Sequence, residues 1–328
     1  MRIVSEAGIV VVTGAGGFVG RALVAHFADR GRPFRAIVRG HGQRFAQEPN
    51  VYAVADLATA TDEALDAIVS GAAAVVHLAG RAHVLRETTD DPASAYRSAN
   101  AATTERLARA AVRAGVQRFI VASTIKVNGE ASAHGRPFRP DDPPAPRDDY
   151  ARSKVHAESI LATLAAGTPM TPIVLRLPLV YGPGVKGNFA ILLDEIARGR
   201  VLPIAAIRNQ RSILYVGNLV DAIDAALDAT PAPSGVHFVA DGKSIATPEL
   251  ARAAGAALGT PARLVAVPVM LLELFGALSG KTATLRRLVD TLEVDASTFV
   301  IATGWRPRHS LAEGLAATAA WWRMRHSL

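Results

Sequence analysis

The chain of 328 residues contains no cysteine. Disulfides, thiolate metal sites and a cysteine nucleophile are therefore excluded. A long uninterrupted apolar run is also missing. The most apolar stretch, residues 265–280, contains a proline and a glutamate and is too short for a membrane span, although peripheral contact with a membrane stays open. No apolar segment follows a basic start at the N-terminus, so we expect a cytoplasmic protein with no signal peptide and no integral membrane segment.

Aromatic residues are scarce, at 5% of the chain, and the basic residues are scattered along it. Nucleic-acid-binding proteins usually concentrate both on one surface, so we expect no nucleic-acid partner. The formal net charge is nevertheless +7. This excess suits an enzyme that collects anionic phosphates, and it equally suits a protein that is simply soluble. With half of its residues apolar and a fifth charged, the chain is typical of a large globular protein.

Short apolar segments alternate with helical segments over the first 180 residues. The predicted strands lie within residues 8–16, 34–39, 51–57, 73–80, 118–124 and 172–182. The predicted helices between them include residues 18–30, 93–114 and 150–166. Buried strands that alternate with helices predict an α/β fold of the Rossmann type, built on a doubly wound parallel sheet.

The pattern is looser beyond residue 183. The elements predicted there are helices at 188–198 and 218–228 and a strand at 235–240. Thr247, followed by Pro248 and Glu249, predicts a capped helix start. Ser310 and Glu313 have the spacing of a capping box for the last helix. Residues 139–149, rich in proline and aspartate, predict a surface loop.

The strongest local signal is the segment VVVTGAGGFVGRALVAHF at residues 10–27. A predicted strand leads into Gly14, Gly17 and Gly20 and then into a predicted helix. Where side chains are missing, backbone N–H groups and a helix N-terminus can approach a pyrophosphate. The spacing is GxxGxxG and differs from the commoner GxGxxG fingerprint. Its position after the first strand favours a dinucleotide site over a tight turn without a ligand.

The end of the second strand indicates which dinucleotide is bound. An acidic residue at this place accepts from the ribose 2′-hydroxyl of NAD, whereas an arginine accommodates the 2′-phosphate of NADP. Here the strand ends with Arg39 and has no acidic residue. This favours NADP, with a solvated arginine and bound NAD as the alternative. Asp56, after the third strand, is placed to meet the adenine amino group, and a helix-capping role fits it equally well.

Tyr150 is one of only five tyrosines and precedes Lys154 by four residues. On a helix the two side chains share one face. An ammonium near a phenol lowers the pKa of the phenol, which then exchanges protons near neutral pH. A surface tyrosine and lysine on an ordinary helix have the same spacing. The pair therefore gains meaning only beside a cofactor site.

Together these segments resemble the extended short-chain dehydrogenase/reductases, in the branch of nucleotide-sugar epimerases and dehydratases. The resemblance runs nearly from end to end. Its motifs are TGAGGFVG (13–20), ADL (55–57), VVHLAG (75–80), Asn100, VASTIKVNG (121–129), YARSK (150–154), LRLPLVYGPG (175–184) and RSILYVGNLVDAI (211–223). Their order and spacing make the resemblance specific, since no single motif is decisive.

The resemblance implies a role for each matching residue. Tyr150 is expected to be the acid/base, Lys154 to lower its pKa and hold the nicotinamide ribose, and Thr124 to bond the reacting sugar oxygen. The expected cofactor-binding residues are Gly14, Gly17, Phe18, Val19, Gly20, Arg39, Asp56, Leu57, Leu78, Ala79, Gly80, Asn100, Ala122, Tyr150, Lys154 and Pro178. The expected substrate-binding residues are His83, Thr124, Lys126, Asn188, Phe189 and Arg211. Asn188 and Arg211 match positions that hold the nucleotide diphosphate, with a helix cap and a surface base as their alternatives.

Three departures from the family pattern bear on the reaction. The family's 4,6-dehydratases carry Asp-Glu directly after the catalytic threonine, where this chain has Ile125 and Lys126. Dehydration is therefore not expected. Leu179 and Asn128 replace a frequent asparagine and a frequent tyrosine, which leaves the identity of the sugar open.

The resemblance implies an enzyme that uses NADP(H) by preference, with NAD(H) as the alternative, and acts on a UDP-sugar. Residues 1–182 are expected to bind the cofactor, and residues 183–328 mainly the sugar nucleotide. This boundary is approximate, and elements of the two parts can interleave. No metal is expected. A homodimer is one assembly that the resemblance allows.

Within the family, the segments STIKVNGE, VYGPGVKGNF and RNQRS are most similar to reductases of UDP-4-keto-6-deoxy-N-acetylhexosamines, which form UDP-N-acetylquinovosamine for surface polysaccharide. We therefore expect reduction of a keto group at C4. A UDP-hexose 4-epimerase is the alternative. A non-catalytic dinucleotide sensor of the same fold is the alternative from another class, and the intact tyrosine–lysine pair argues against it.

Overall fold

The structure is a computed structural model that describes residues 8–40, 50–82, 89–279 and 282–326. Within this part of the chain, seven of the strands form one sheet. In chain order the strands are β1 (Ile9–Thr13), β2 (Phe34–Arg39), β3 (Val51–Val54), β4 (Ala72–His77), β5 (Arg118–Thr124), β6 (Thr171–Leu177), β7 (Leu179–Tyr181), β8 (Val201–Leu202), β9 (Ile213–Tyr215), β10 (Gly235–Phe238) and β11 (Arg263–Leu264).

The large sheet has the order β10-β6-β5-β4-β1-β2-β3, and every neighbouring pair is parallel. The chain builds outward from β1 to β3 on one side and then crosses to β4 on the other. The strand order therefore reverses between β1 and β4, and ligands of open α/β sheets bind at the carboxyl ends of strands at such a point. The predicted doubly wound parallel α/β fold is confirmed.

Helices cover both faces of the sheet. In chain order they are α1 (Phe18–Asp29), α2 (Asp62–Val69), α3 (Pro92–Tyr96), α4 (Thr103–Arg113), α5 (Asp149–Ala165), α6 (Asn188–Ala197), α7 (Val216–Asp228), α8 (Thr247–Leu258), α9 (Val269–Leu278), α10 (Thr282–Val289), α11 (Ser297–Thr303) and α12 (Leu311–His326). A π-helical segment, Arg97–Ala102, joins α3 to α4. The predicted helix at 93–114 therefore exists as three consecutive helical segments. The other helix predictions agree with the structure to within two residues.

Two buried clusters explain why the strands are continuously apolar. Successive residues of a strand point to opposite faces of the sheet. Val10 and Val12 of β1 accordingly pack in the first cluster with Phe27 of α1, and Val11 packs in the second cluster with Leu107 of α4. A strand covered on both faces has no solvent-facing positions to fill with polar residues, so its sequence does not alternate.

The predicted strand at 172–182 divides at Pro178. Proline has no backbone N–H to donate to a neighbouring strand, so it interrupts a ladder. β6 ends at Leu177 inside the large sheet, while β7 pairs with β9 in a separate two-stranded sheet. The prediction of one continuous strand was therefore wrong. At the break the chain leaves the seven-stranded sheet and enters the two-stranded sheet of β7 and β9.

Residues after 183 build a third apolar cluster but also return to the large sheet. The third cluster contains side chains from α6, α8 and α12, with β8 and β11 paired beside it. In contrast, β10 pairs with β6, and α7 packs against α1. The two parts of the chain that the sequence divided at residue 182 therefore interleave in space.

The two predicted helix starts differ in outcome. At α12, the N–H of Ser310 donates to Glu313 at 2.7 Å and the N–H of Glu313 donates to the Ser310 hydroxyl at 3.3 Å, so the capping box is confirmed. Thr247 is already inside α8, and its hydroxyl accepts from the Asn209 side chain at 2.9 Å. The predicted cap is wrong because a tertiary contact occupies that hydroxyl. None of the helices in the described ranges could span a bilayer.

Candidate active site

The glycine-rich turn between β1 and α1 is packed too tightly for side chains. Gly14 has φ +69°, and a β-carbon there would lie 2.6 Å from the backbone nitrogen of Ala79. A β-carbon on Gly20 would collide with the carbonyl oxygen of Gly14. Gly17 is the N-cap residue of α1, whose first turn carries no acidic side chain. The N-terminal amides of α1 form the positive end of the helix dipole. They point into the crevice at the carboxyl ends of β1 and β4, which suits the phosphates of a dinucleotide.

The two residues after Gly17 fix the start of α1. Val19 packs against the first cluster, and Phe18 packs against the third. A β-carbon on Gly184 would lie 3.4 Å from the Phe18 ring, so this ring lies beside the loop that follows β7. Both predicted cofactor-binding residues therefore hold the turn in place through apolar packing.

The predicted adenosine end of the crevice lies at the tips of β2 and β3. Arg39 is the last residue of β2, and its side chain is exposed. Asp56 follows β3, and its carboxylate accepts from the N–H of Ala58 at 2.9 Å, closing the turn there. Leu57 packs against the second cluster. An exposed guanidinium at this place can meet a ribose phosphate, and β2 contains no acidic residue.

The loop after β4 forms the wall opposite the glycine turn. Ala79 N–H donates to the Thr13 hydroxyl at 3.3 Å, and that hydroxyl lies 2.7 Å from Nδ1 of His77. Burial lowers the pKa of His77 to about 3, with a further contribution from Lys154, so the imidazole is neutral. Leu78 packs against the first cluster beneath this wall. The loop from Leu78 to Gly80 is thereby anchored to β1.

Asn100 links this loop to the helix that carries Tyr150. It is buried in the π-helical segment, and its side chain accepts from Arg81 N–H at 2.8 Å and donates to the Arg81 carbonyl at 3.1 Å. It also donates to the Ser153 hydroxyl at 2.8 Å. A β-carbon on Gly80 would lie 2.7 Å from its amide oxygen. The wider π turn, a feature that often marks functional sites, thus sets an amide between two walls of the crevice.

Thr124, Tyr150 and Lys154 come together at the carboxyl end of β5. Thr124 is the last residue of β5, and its hydroxyl hydrogen-bonds to the Tyr150 phenol. Lys154, one turn further along α5, donates from Nζ to the Ala122 carbonyl at 2.9 Å. Ser123 instead donates to the carboxylate of Glu158. The structure therefore places Thr124, and not Ser123, beside the tyrosine.

The predicted effect of Lys154 on Tyr150 needs correction. Burial raises the pKa of Tyr150 to about 12, and the Thr124 hydrogen bond opposes this while Asp148 adds to it. Burial also lowers the pKa of Lys154 to about 8, opposed by the nearby Glu158 carboxylate. Desolvation therefore sets the direction of the pKa shift at both groups. At neutral pH the phenol is protonated, which makes it a proton donor.

The predicted substrate-binding residues are not equivalent in the structure. Asn188 is exposed at the first position of α6, after the N-cap residue Gly187. Phe189 is buried in the third cluster, with its ring centroid 5.5 Å from that of Tyr181, so its side chain serves the core. Pro178, predicted to meet the nicotinamide carboxamide, is buried at the end of β6. His83 lies outside the described residues.

Two predicted substrate-binding cations have partners within the protein. Nζ of Lys126 lies 2.6 Å from the carboxylate of Asp148 and 3.5 Å from that of Glu130. Nη1 of Arg211 donates to the carbonyls of Arg287 and Asp290, at 2.8 Å and 3.0 Å, where α10 ends. The solvated surface base considered as an alternative for Arg211 is therefore wrong. Both cations hold elements together at the edge of the crevice.

The sequence did not single out a buried ion pair behind the site. Arg176 of β6 and Glu158 of α5 are 5% and 9% exposed, and Nη2 lies 2.6 Å from Oε2. Arg176 also donates to the Asn128 amide oxygen at 3.0 Å. Two features of the sequence could have indicated this ion pair: an arginine inside an otherwise apolar strand, and a glutamate one turn after Lys154. This pair joins β6 to the helix that carries the tyrosine and lysine.

Known proteins resemble the chain over most of its length. The profile of the NAD dependent epimerase/dehydratase family matches residues 10–240. The UDP-glucose 4-epimerase of Vibrio cholerae is 38% identical over 94% of each chain. The N-acetyl-alpha-D-glucosaminyl-diphospho-ditrans,octacis-undecaprenol 4-epimerase of Escherichia coli O157:H7 is 27% identical over 94% of this chain and 93% of its own. The solved structure of MoeE5 in complex with UDP-glucuronic acid and NAD has a TM-score of 0.77 and 26% identity, covering 98% of this chain and 100% of MoeE5.

Proposed function

The chain belongs to the NAD-dependent epimerase/dehydratase family, and we propose that it reduces the C4 ketone of a UDP-4-keto-6-deoxy-N-acetylhexosamine with NADPH. The coarser conclusion, a sugar-nucleotide enzyme that uses a nicotinamide cofactor, follows from the family. The hydrogen bond between Thr124 and a protonated Tyr150 at the carboxyl end of β5 supports hydride chemistry at a sugar oxygen, and the segments STIKVNGE, VYGPGVKGNF and RNQRS support the reductase subtype.

The crevice suits a dinucleotide in two places. The glycine turn leaves the α1 amides for the phosphates, since β-carbons at Gly14 and Gly20 would fill that space. A β-carbon on Gly80 would lie 3.5 Å from Nζ of Lys154, so the lysine and the loop ending at Gly80 meet where the ribose and nicotinamide would lie. When bound, the nicotinamide supplies the hydride for the sugar carbon. The protein supplies position and the proton.

Tyr150 and Thr124 act on the oxygen of the ketone. The two hydroxyl groups bond to this oxygen and stabilise the negative charge that develops as the hydride reaches C4. Tyr150 then gives its proton to the oxygen, so that hydride and proton together convert the ketone to a secondary alcohol. The Lys154 ammonium stabilises the phenolate that remains until it is reprotonated from solvent. A pKa of about 12 keeps Tyr150 protonated at the start of this sequence.

NADPH is the proposed cofactor because Arg39 is exposed at the end of β2. Its guanidinium can pair with a 2′-phosphate, and no carboxylate on β2 holds the ribose diol of NAD. MoeE5, which is similar over its whole length, is described as a complex with NAD. NADH is therefore the cofactor against which the preference has to be measured.

The surroundings of Thr124 do not support dehydration. Ile125 is buried, and the ammonium of Lys126 is paired with Asp148 and Glu130. Neither residue can replace the Asp-Glu pair that eliminates water in the family's dehydratases. The proposal is thereby limited to hydride chemistry.

A UDP-hexose 4-epimerase is the second candidate, supported by the Vibrio cholerae relative at 38% identity. An epimerase first oxidises C4 and then reduces it from the other face, so the same three residues would serve. It differs in its starting step, since Tyr150 would have to accept a proton first. It must then return that proton in the reductive half of the cycle, so the position of Tyr150 fits both candidates and the measured products have to separate them.

The carrier of the sugar is proposed to be UDP. The name of the Escherichia coli relative places the sugar on undecaprenyl diphosphate, and MoeE5 is described with UDP-glucuronic acid. Both carriers offer a diphosphate next to the sugar, which Arg211 and Asn188 are proposed to hold. Competitive inhibition by UDP alone would support the nucleotide carrier, and absence of inhibition would exclude it.

Labelled cofactor tests the proposed reaction. NADPH carrying deuterium at both hydrogen positions of nicotinamide C4 is incubated with the protein and the 4-keto sugar nucleotide, and the product is examined by NMR. We expect deuterium at C4 of the product sugar and none elsewhere. Transfer to another carbon, or unlabelled product, would refute a C4 reductase.

A further inference from the structure

Helix α9 presents one continuous apolar face to solvent. Five of its ten residues are large apolar side chains that are between 53% and 81% exposed: Met270, Leu271, Leu274, Phe275 and Leu278. Their spacing places them within less than half of the helix circumference. Isolated exposed apolar residues need no explanation, but a contiguous apolar face usually marks an interaction surface.

The opposite side of α9 fixes the orientation of this face. Leu272 and Gly276, four residues apart, are the buried residues of the helix. A β-carbon on Gly276 would lie 2.6 Å from Cδ1 of Leu285, so α9 and α10 are in close contact there. The two helices form a hairpin whose inner side rests on the third cluster. The five exposed side chains therefore cannot turn inward without breaking this packing.

Basic residues outnumber acidic residues in the chain around the apolar face. Residues 261–290 contain four basic residues, Arg263, Lys281, Arg286 and Arg287, and two acidic residues, Glu273 and Asp290, and Arg287 lies 3.8 Å from the carboxylate of Glu130. Arg263 precedes the helix and Arg286 follows it, and both are exposed. An apolar helix face with basic residues at its flanks is the arrangement that binds at the surface of anionic membranes.

From this combination we propose that α9 docks the protein on an anionic lipid surface, with the five apolar side chains inserted at the boundary between headgroups and acyl chains. A second copy of the chain fits less well. Stable protein interfaces need about 800 Å² from each partner, whereas a ten-residue helix is only about 15 Å long and about 10 Å wide. The positive charge would also repel an identical surface. The inference concerns this surface and is independent of the reaction proposed above.

Vesicle flotation tests the proposal. The purified full chain is mixed with vesicles of phosphatidylcholine alone or of equal parts phosphatidylcholine and phosphatidylglycerol. We expect flotation with the anionic vesicles and weaker flotation as salt is raised. The double variant Leu274→Glu/Phe275→Glu should lower vesicle partitioning by at least about tenfold, because two inserted side chains become charged. Arg286→Glu should lower it by about fivefold or more.

Ile301→Glu is the matched control, because Ile301 is also apolar and 83% exposed but lies on α11. It should float like the unchanged protein. Circular dichroism and the melting temperature of each variant establish that it is folded, and Met270→Gln/Leu278→Gln offers a milder change on the same face. Absence of flotation, or equal flotation of the α9 variants, would overturn the proposal. So would a dimer that the α9 variants dissociate in a protein that does not bind vesicles.

Discussion

The ammonium of Lys126 lies 2.6 Å from the carboxylate of Asp148, and the same carboxylate caps α5 by accepting from the N–H of Ala151 at 2.8 Å. Lys126 belongs to the short turn directly after Thr124, whereas Asp148 stands two residues before Tyr150. The ion pair therefore ties the two ends of the catalytic arrangement together. Its geometry gives Lys126 a positioning role, in addition to the substrate contact that the sequence suggested.

Lys126→Met should separate these two roles. Loss of the ion pair loosens the start of α5, so we expect kcat to fall by about two- to fivefold while KM stays nearly unchanged. Steady-state kinetics with the 4-keto sugar nucleotide measures both. Lys243→Met, at an exposed lysine elsewhere, should change neither constant. A large rise in KM at constant kcat would show that Lys126 acts mainly through substrate.

Tyr150→Phe should remove the proton donor and keep the shape of the site. Turnover is expected to fall by roughly 10²–10⁴-fold, the usual contribution of a positioned acid. Cofactor affinity, measured by fluorescence titration, and the melting temperature should stay close to those of the unchanged protein. Tyr52→Phe, at an exposed position of β3, is the control. Normal turnover of the Tyr150 variant would refute the role assigned to this residue.

As the pH rises, the rate of reduction should respond to deprotonation of Lys154 before that of Tyr150. The pKa of Lys154 is about 8, lowered by burial, so its ammonium is present below that pH and lost above it. Tyr150, with a pKa of about 12, stays protonated throughout this range. We therefore expect kcat/KM, which reports groups of the free enzyme, to fall as pH rises through about 8. A profile that stays flat well above this pH would contradict the account.

Glu158→Gln should affect both stability and this pH profile. The variant leaves the buried Arg176 cation without a counter-charge, which should cost about 3–5 kcal/mol in the free energy of unfolding, measured with urea. Because the Glu158 carboxylate raises the pKa of Lys154, the alkaline fall of kcat/KM should move to lower pH. Glu105→Gln, in an exposed ion pair with Arg109, should cost less than about 1 kcal/mol. Equal costs for the two variants would show that the buried pair contributes little.

Arg39→Asp should change cofactor choice. It replaces a partner of the 2′-phosphate with a repelling charge, so NADPH affinity should fall by about 10–100-fold and NADH affinity by much less. Isothermal titration with each cofactor measures the difference. Arg136→Asp, at an exposed arginine in another loop, should affect neither cofactor. Equal losses for both cofactors would make Arg39 a general surface cation.

The fold was largely predictable because its signals are local. β-branched runs, the glycine turn and the helix between them lie in consecutive residues, and the spacing of Tyr150 and Lys154 requires only that α5 be helical. Pro178 also carried a local signal, since a proline cannot donate within a sheet. In contrast, β10 pairs with β6 across more than 50 residues of chain, and nothing in its own sequence distinguishes that partner from β7 or β9.

Interactions that depend on burial were not predictable. The sequence showed an ammonium near a phenol and suggested a lowered pKa, but both groups are desolvated, and the direction for Tyr150 is the opposite. The pairing of Glu158 with Arg176 joins residues whose partners only the folded chain defines. Lys126 was assigned to substrate through the family resemblance, whereas Asp148, which lies 2.6 Å from its ammonium, is brought to it only by the fold.

The stoichiometry between NADPH oxidised and ketone reduced tests the central claim most directly. Purified protein is mixed with NADPH and the UDP-4-keto-6-deoxy-N-acetylhexosamine, and nicotinamide absorbance is followed while the sugar product is quantified by chromatography. We expect one NADPH oxidised for each ketone reduced, and the same exchange roughly 10²–10⁴-fold more slowly with Tyr150→Phe. Interconversion of UDP-hexose C4 epimers without added cofactor, and with no net change in nicotinamide absorbance, would contradict the reductase and establish the epimerase in its place.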